Sequence, residues 1–330
     1  NISIVTYTDR AKTIVRQMAC TVENKTLIST QLDSIRPLNT TNMWDGIQMS
    51  MDILRTSSPP MKNKGILLLT DGIPNIEPPR GHIRMLERYY EQHQFRCMIS
   101  CYGFGYDLDS KLLMDISDIS GGDGFCFIPD ASLLGNVFIH GISNIVTTAK
   151  SYPKLMIKLL KGAKFLNSET ELTFNIDSLK YGKEKNMVLN LDTSECESQS
   201  TDYLQDCSQI TLEVNGKEYK IERCSVMPPN YYRNQTSRIS SINMIDMCIQ
   251  KLNRRDRSFE DELNSLCDEL RSYDNEYIQN ILFDLDGQVK EALNMTMDGE
   301  SKNWFNRWGI HYLRSLKNAY KNEICNNFKD

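Results

Sequence analysis

The chain has 330 residues, of which 40% are hydrophobic and 25% are charged, and its formal net charge is −5. These totals are typical of globular protein, and the length predicts two or three domains. The acidic balance argues against nucleic-acid binding, and no apolar run is long enough to span a membrane. The ten cysteines show no zinc-site spacing, so we expect reduced thiols and an intracellular, cytoplasmic protein.

Residues 1–150 alternate between strand-like and helix-like patterns. The strand-like runs are residues 2–7, 12–16, 66–69, 95–104 and 125–128. The helical patterns are residues 24–35, the stretch after Asn42 that contains Ile47, Met51 and Leu54, and residues 82–92, 109–119 and 131–150. Strands that alternate with helices predict a mostly parallel sheet with helices on both faces.

The stretch from Gly65 to Asn75, GILLLTDGIPN, is expected to lie in the middle of this sheet. Its four consecutive apolar residues predict a strand that is buried on both faces. Asp71 and Gly72 follow the carboxyl end of that strand. Because open α/β sheets bind ligands at this edge, Asp71 is a candidate binding residue.

The pattern changes at residues 151–153. Residues 152–230 contain five strand-like runs and an Asn-Gly hairpin signal at residues 215–216, which together predict a small antiparallel β-sandwich. Residues 236–330 predict an α-helical domain. A four-residue repeat of large apolar side chains near its end predicts a helix face in the core of that domain, with an exposed partner surface as the alternative; the repeat is Trp304, Trp308, Tyr312 and Leu316.

Five blocks in residues 1–150 resemble von Willebrand factor type A (VWA) domains in order and spacing: SIVTYTDRA, TTNMWDGI, ILLLTDGIPN, CYGFGYDLDSKLLMDIS and SGGDGFCFI. The resemblance implies a doubly wound, Rossmann-like sheet and a divalent-cation site at its carboxyl edge. Thr41 and Asp71 match two parts of that site, and Asn42, Gly72 and Asn75 flank them as the expected partner-binding residues. Oxygen ligands of this kind suit Mg²⁺, Mn²⁺ or Ca²⁺, and an open position on the ion would accept a partner's carboxylate.

The chain departs from the VWA pattern at its start. The Asp-x-Ser-x-Ser block is absent, and residue 2 already lies in what corresponds to the second strand of the family. The domain thus looks truncated at its amino end, and the metal site is incomplete in this chain. Three outcomes remain open for the missing central strand. It lies upstream in the natural protein, another segment or chain supplies it, or the sheet closes over the gap.

A second resemblance covers residues 152–330 and rests on SLKYGKEKNMVLNL and FNRWGIHYLRSLKNAYKNEICNNF. These blocks are similar to the segment that follows the VWA domain in eukaryotic and giant-virus proteins that pair VWA with a Hint, or intein-like, module. No Hint module is present, so self-splicing is not carried over. For a viral protein the expected location would be the host cytoplasm or the virion.

These observations favour a non-enzymatic protein–protein interaction or scaffold protein. Its expected partner is another protein, docked through the cation site, and neither a nucleic acid nor a membrane. The alternative is a metal-free assembly fragment, in which Thr41 caps a helix and Asp71 forms a turn. A hydrolase that uses Asp71 is a weaker hypothesis, because the sequence offers no nucleophile, base or acid pair beside it.

Overall fold

The computed structural model describes residues 1–38, 40–57, 63–196, 208–214, 216–220, 230–294 and 304–324. The chain divides into two compact units. The first contains Asn1–Val146 and Asn306–Ala319, and the second contains residues 147–305 and Tyr320–Ile324. The predicted division into domains 1–150, 152–230 and 236–330 stays a prediction. Within the described ranges, no helix is both long and apolar enough to cross a bilayer.

The first unit contains five strands and five helices of the predicted alternation. The strands are β1 (Ile2–Tyr7), β2 (Ala11–Met18), β3 (Gly65–Thr70), β4 (Met98–Phe104) and β5 (Phe125–Ile128). The helices are α1 (Val22–Asp33), α2 (Met43–Arg55), α3 (His82–His93), α4 (Ser110–Ser120) and α5 (Leu134–Val146).

The strands of the first unit form two separate sheets. β1 pairs with β2 in antiparallel orientation, and β3, β4 and β5 form a parallel sheet in that order. Among the described residues β1 does not pair with β3, so the expected outcome in which the sheet closes between these two strands is not observed. β3 is therefore an edge strand of its sheet, so the prediction that the stretch from Gly65 to Asn75 lies in the middle of the sheet was wrong. The prediction that β3 is buried on both faces holds for one face alone: Leu68 is buried, but Leu67 and Leu69 on the other face are half-buried.

Helix α2 forms because apolar side chains recur at helical spacing after a capping residue. Met43, Ile47 and Met51 are fully buried on one face, and Asn42 accepts a hydrogen bond from the backbone N–H of Asp45. Gly46 permits a close approach, because a Cβ at that position would lie 2.7 Å from the ring of Tyr7. The helix thereby packs directly on β1.

The end of the chain completes the core of the first unit. A π-helical turn at Phe305–Gly309 leads into a helix over Ile310–Asn322, and its residues up to Ala319 are counted with the first unit. Tyr312 and Leu316 are fully buried, and Trp308 stacks on Tyr312 with ring centroids 5.0 Å apart. These residues are packed, in agreement with the core interpretation, but they pack in the first unit.

The second unit begins with β6 (Thr148–Ser151), so the helix predicted to reach residue 150 ends early at Val146. Its other strands are β7 (Lys154–Leu159), β8 (Lys164–Phe165), β9 (Glu171–Asn175), β10 (Ser178–Lys180), β11 (Leu191–Asp192), β12 (Ser208–Val214) and β13 (Lys217–Lys220). One sheet has four strands in the order β13-β12-β7-β9, and two smaller sheets pair β10 with β6 and β11 with β8. All of these pairings are antiparallel.

The predicted hairpin lies between β12 and β13, where Val214 pairs with Lys217 across a two-residue connection. Asn215 itself lies outside the described residues. Helices follow at α6 (Tyr231–Asn253), α7 (Glu260–Arg271), α8 (Glu276–Asp284) and α9 (Lys290–Ala292), with a π-helical turn before α9. The helix over Ile310–Asn322 is α10. The predicted fold class is confirmed: a parallel sheet, small antiparallel sheets and C-terminal helices.

Candidate functional site

The candidate site lies where β1 and β3 end. Two loops meet there through the turn that precedes α2. The backbone N–H of Thr41 donates to Oδ1 of Asn75 at 2.8 Å, and the N–H of Asn75 donates to the carbonyl of Thr41 at 3.3 Å. On the other side, the N–H of Asn42 donates to the carbonyl of Thr8 at 2.6 Å. One turn thus joins the loop after β1 to the loop after β3.

The two asparagines of this edge are occupied by structural hydrogen bonds. Asn42 uses its oxygen to cap α2, and its Nδ2 donates to the carbonyl of Asp9 at 3.0 Å. Asn75 uses its side-chain oxygen to hold Thr41. The structure therefore places both predicted flanking asparagines at the edge as scaffold residues. Capping of α2 falls to Asn42, whereas the metal-free hypothesis assigned it to Thr41.

Asp71 lies in a tight turn that is closed by the residue before it. The hydroxyl of Thr70 donates to the carbonyl of Gly72 at 3.0 Å and accepts from the Gly72 N–H at 3.3 Å. Asp71 is exposed, and no atom lies within 4 Å of the position that a Cβ on Gly72 would take. The carboxylate of Asp71 thus faces open space at the end of β3.

Tyr7 links the ends of β1 and β3 beneath this turn. Its hydroxyl donates to the carbonyl of Leu69 at 2.5 Å. Burial raises the pKa of Tyr7 to about 12, and the nearby Asp71 carboxylate adds to the rise. The phenol therefore stays protonated at neutral pH and remains a donor.

Asp9 is an edge carboxylate that the sequence reasoning missed as a site residue. It follows the end of β1 as Asp71 follows β3, and the hydroxyl of Thr8 donates to its Oδ1 at 2.9 Å. That hydrogen bond is the main reason that the pKa of Asp9 lies below its ordinary value. A signal was present in the sequence, since both carboxylates lie within two residues of the end of a strand, and the carboxyl ends of these strands meet at one edge.

The edge offers only part of a coordination shell. The Asp71 carboxylate and the Thr41 hydroxyl make no hydrogen bond to any described residue, and both are oxygen ligands that suit hard cations. Mg²⁺ and Ca²⁺ require about six ligands or more. The described residues contain no group of three or more His, Cys, Asp or Glu side chains that could hold a metal ion. Thr41 and Asp71 fit a cation as a partial set that needs further ligands.

A second polar cluster lies inside the first unit, between α4 and α10. Nδ1 of His311 is 2.6 Å from the hydroxyl of Ser110, and Nε2 of His311 is 3.1 Å from the carbonyl of Tyr106. Arg314 also donates to the Ser110 hydroxyl, at 2.9 Å. Because Nε2 must donate to a carbonyl, Nδ1 is the acceptor from Ser110. Ser110 is fully buried and His311 is 4% exposed, so this pair ties α10 to α4 and is closed to a substrate.

The comparisons with known proteins agree with the resemblance seen in the sequence. Residues 275–330 match the family model Vwaint, described as "VWA / Hh protein intein-like". The chain is similar in structure to "von Willebrand factor type A from Catenulispora acidiphila", with a TM-score of 0.58 and 12% identity over 96% of this chain and 79% of that one. Identity at this level establishes the fold alone: the chain has a VWA-like fold.

Two weaker likenesses are to proximal thread matrix protein 1 (PTMP1) from the mussel byssus. The form "with zinc occupied MIDAS motif" has a TM-score of 0.35 and 16% identity, over 49% of this chain and 38% of that one. Crystal form 2 has a TM-score of 0.29 and 19% identity, over 42% and 32% of the two chains. Both scores are too low to bear on this chain. None of the curated proteins matches it.

Proposed function

We propose that this chain is a non-enzymatic interaction protein that docks a partner protein at the carboxyl edge of its first unit. The observation that carries the proposal is the arrangement of the two loops. The paired hydrogen bonds between Thr41 and Asn75 hold the loops together, and the Asp71 carboxylate and Thr41 hydroxyl remain available beside them. VWA-fold proteins commonly mediate protein–protein interaction, which is consistent with this use of the edge.

A divalent cation, Mg²⁺ or alternatively Mn²⁺ or Ca²⁺, would be held by Asp71 and Thr41. Water and groups outside the described residues would supply its remaining ligands. When bound, the cation supplies a positive charge that attracts a carboxylate of the partner. Asn42 and Asn75 keep the two loops in place, and Gly72 leaves the approach to Asp71 open.

We propose a non-enzymatic function because of the burial and hydrogen bonding of the side chains that could otherwise act in catalysis. The hydrogen-bonded pair of Ser110 and His311 is the arrangement that would suggest nucleophilic catalysis. It is buried in the first unit and engaged with Arg314 and the carbonyl of Tyr106. In the described part of the chain, the turn at Asp71 is closed by hydrogen bonds between the Thr70 hydroxyl and the backbone of Gly72, and the Asp71 carboxylate takes part in none of them.

The test is calorimetric titration of the chain with Mg²⁺, Mn²⁺ and Ca²⁺, repeated on Asp71→Ala and Thr41→Ala. We expect binding heat that Asp71→Ala abolishes, because it removes the charged one of the two assigned ligands. Asp33→Ala is the matched control, since Asp33 is an exposed aspartate at the end of α1 in the same unit. Heat that persists in Asp71→Ala would refute the assignment of the ligand.

The metal-free assembly function is the second candidate, and the hydrogen bonds give it support. Asn42 caps α2 and Thr70 closes the turn at Asp71, so the edge is held together without an ion. An absence of binding heat and of any thermal shift with all three cations would favour this candidate over cation-dependent docking.

A further inference from the structure

The loops that follow β3 and β4 begin side by side at the carboxyl edge of the parallel sheet. Thr70 pairs with Gly103 near the ends of the two strands, and adjacent strands lie about 4.8 Å apart. Beyond these ends, Ile73 of the first loop is 57% exposed and Tyr106 of the second loop is 38% exposed. The edge therefore presents an apolar side chain from each loop, in addition to the Asp71 carboxylate.

Tyr106 is held in place by buried residues of the first unit. Its carbonyl accepts a hydrogen bond from Nε2 of His311 at 3.1 Å, and its ring lies against the buried ring of Phe127, with centroids 6.2 Å apart. His311 is held in turn by its hydrogen bond to the Ser110 hydroxyl. The buried polar cluster between α4 and α10 thus fixes the position of an exposed ring at the carboxyl edge.

The guanidinium of Arg307 lies over this ring, with its Cζ 5.3 Å from the ring centroid. Arg307 is exposed, and it makes no hydrogen bond or ion pair to another described residue. A guanidinium that packs on an aromatic face retains its N–H donors, which form a planar fork that matches a carboxylate. Arg307 also belongs to the π-helical turn Phe305–Gly309, and such turns are frequently found at functional sites. Tyr106 and the turn together hold one cation at the edge with its donors available.

We propose that Arg307 and Tyr106 form a second docking point for the partner protein, which binds a carboxylate side chain with an apolar residue beside it. Arg307 donates to the carboxylate, and the Tyr106 ring and Ile73 contact the apolar neighbour. The inference rests on the proposed function, because it assigns a second contact to the same partner at the same edge. Unlike the contact at Asp71, this contact needs no cation.

A carboxylate fits this docking point better than a phosphate group does. Phosphate sites commonly use a helix amino terminus or a cluster of cationic side chains. Here Arg307 is the cation that lies on the Tyr106 ring, and the exposed carboxylates of Asp71 and Asp107 belong to the two adjoining loops. These carboxylates repel a doubly charged phosphate more strongly than a singly charged carboxylate.

The experiment titrates the 330-residue chain with the capped dipeptide N-acetyl-Leu-Asp-amide in the presence of EDTA, which removes divalent cations. Binding is followed by NMR through the backbone amide signals of Ile73 and Tyr106. Arg307→Gln should weaken the affinity about fivefold or more, because it removes the charged donor. The matched control is Arg233→Gln, which removes an exposed arginine that lies over the ring of Tyr273 in the second unit, and it should leave the affinity unchanged.

Two further variants test the chemistry of the docking point. Arg307→Lys should weaken the affinity less than Arg307→Gln does, because it keeps the charge but loses the planar fork. Tyr106→Ala should also weaken it, because Arg307 then loses the ring that positions it. The neutral peptide N-acetyl-Leu-Asn-amide should not bind at this point, since it has no carboxylate.

An absence of peptide binding in EDTA overturns the inference, as does an affinity that Arg307→Gln or Tyr106→Ala leaves unchanged. Tighter binding of inorganic phosphate than of the peptide overturns it in favour of a phosphate-bearing partner. Because this titration contains no divalent cation and the calorimetric titration contains no peptide, the docking point and the cation site at Asp71 can fail separately.

Discussion

Replacing Gly124 by alanine should destabilise the first unit, because Gly124 lies directly against the last helix. Gly124 has φ +93°, which side-chain-bearing residues rarely adopt, and a Cβ there would overlap the side-chain amide of Asn318. The backbone conformation costs about 1–2 kcal/mol. Asn318 must also turn away and lose its hydrogen bond to the carbonyl of Asp123, now 2.8 Å long, which costs about 1 kcal/mol more. The free energy of unfolding should therefore fall by about 2–3 kcal/mol.

Gly105→Ala is the matched control for this prediction. Gly105 has φ +71°, but no atom lies within 4 Å of its Cβ position, so the substitution has only the backbone cost. In the background of Asn318→Ala the overlap disappears, and Gly124→Ala should then cost no more than Gly105→Ala. Urea unfolding of the unmodified chain, Gly124→Ala, Asn318→Ala and the double variant measures the coupling between these two residues as a double-mutant cycle. Equal costs for Gly124→Ala and Gly105→Ala in the unmodified chain would refute the packing of α10 against this loop.

Two further outcomes follow from the hydrogen bonds of the first unit. Burial lowers the pKa of His311, so the unfolded chain binds a proton more readily than the folded chain, and the free energy of unfolding should decrease as the pH falls below about 6.5. Urea unfolding across this range should show a weaker pH dependence of stability for His311→Gln than for the unmodified chain. Some pH dependence should remain, because burial also lowers the pKa of His82. Identical stability curves for the two proteins would contradict the buried hydrogen bonds of His311. Asn42→Ala should lower stability by about 1 kcal/mol or more through loss of the α2 cap. Asn42→Asp retains the cap but loses the donor to the carbonyl of Asp9, so its free energy of unfolding should lie between those of the unmodified chain and Asn42→Ala. An Asn42→Ala variant as stable as the unmodified chain would show that the cap is dispensable.

The order of elements in the first unit was predictable because each element has its own local signal. The apolar run of β3 and the spacing of Ile47 and Met51 in α2 reflect which face of each element is buried. This pattern can be recognised from neighbouring residues alone. Segments whose structure depends on distant pairing were harder to predict. Residues 148–151 continue a helical pattern, yet they form β6 because β10 lies beside them.

The position of the Asp71 carboxylate was predictable from the sequence, but the hydrogen bonds that hold the two loops of the candidate site together were not. Asp71 follows a strand, and its position at the sheet edge follows from topology. The pairing of Thr41 with Asn75 joins residues 34 positions apart and depends on the conformation of two loops. The same limitation hid the contact between Ser110 and His311, which are 201 positions apart. Asp9 needed no such knowledge, because its place after β1 was visible in the sequence.

The position of α10 has a consequence for how the protein is made. The hydroxyl of Ser315 accepts the hydrogen bond of the Phe127 N–H in β5, and 188 residues separate the two. At ribosomal speeds of 5–20 residues per second, about 10–40 s pass between their synthesis. During that interval β5 and the face of α4 that is buried in the finished protein lack α10, which covers them in the folded core. Nascent chains of this protein are therefore expected to need protection from aggregation until α10 has left the ribosome.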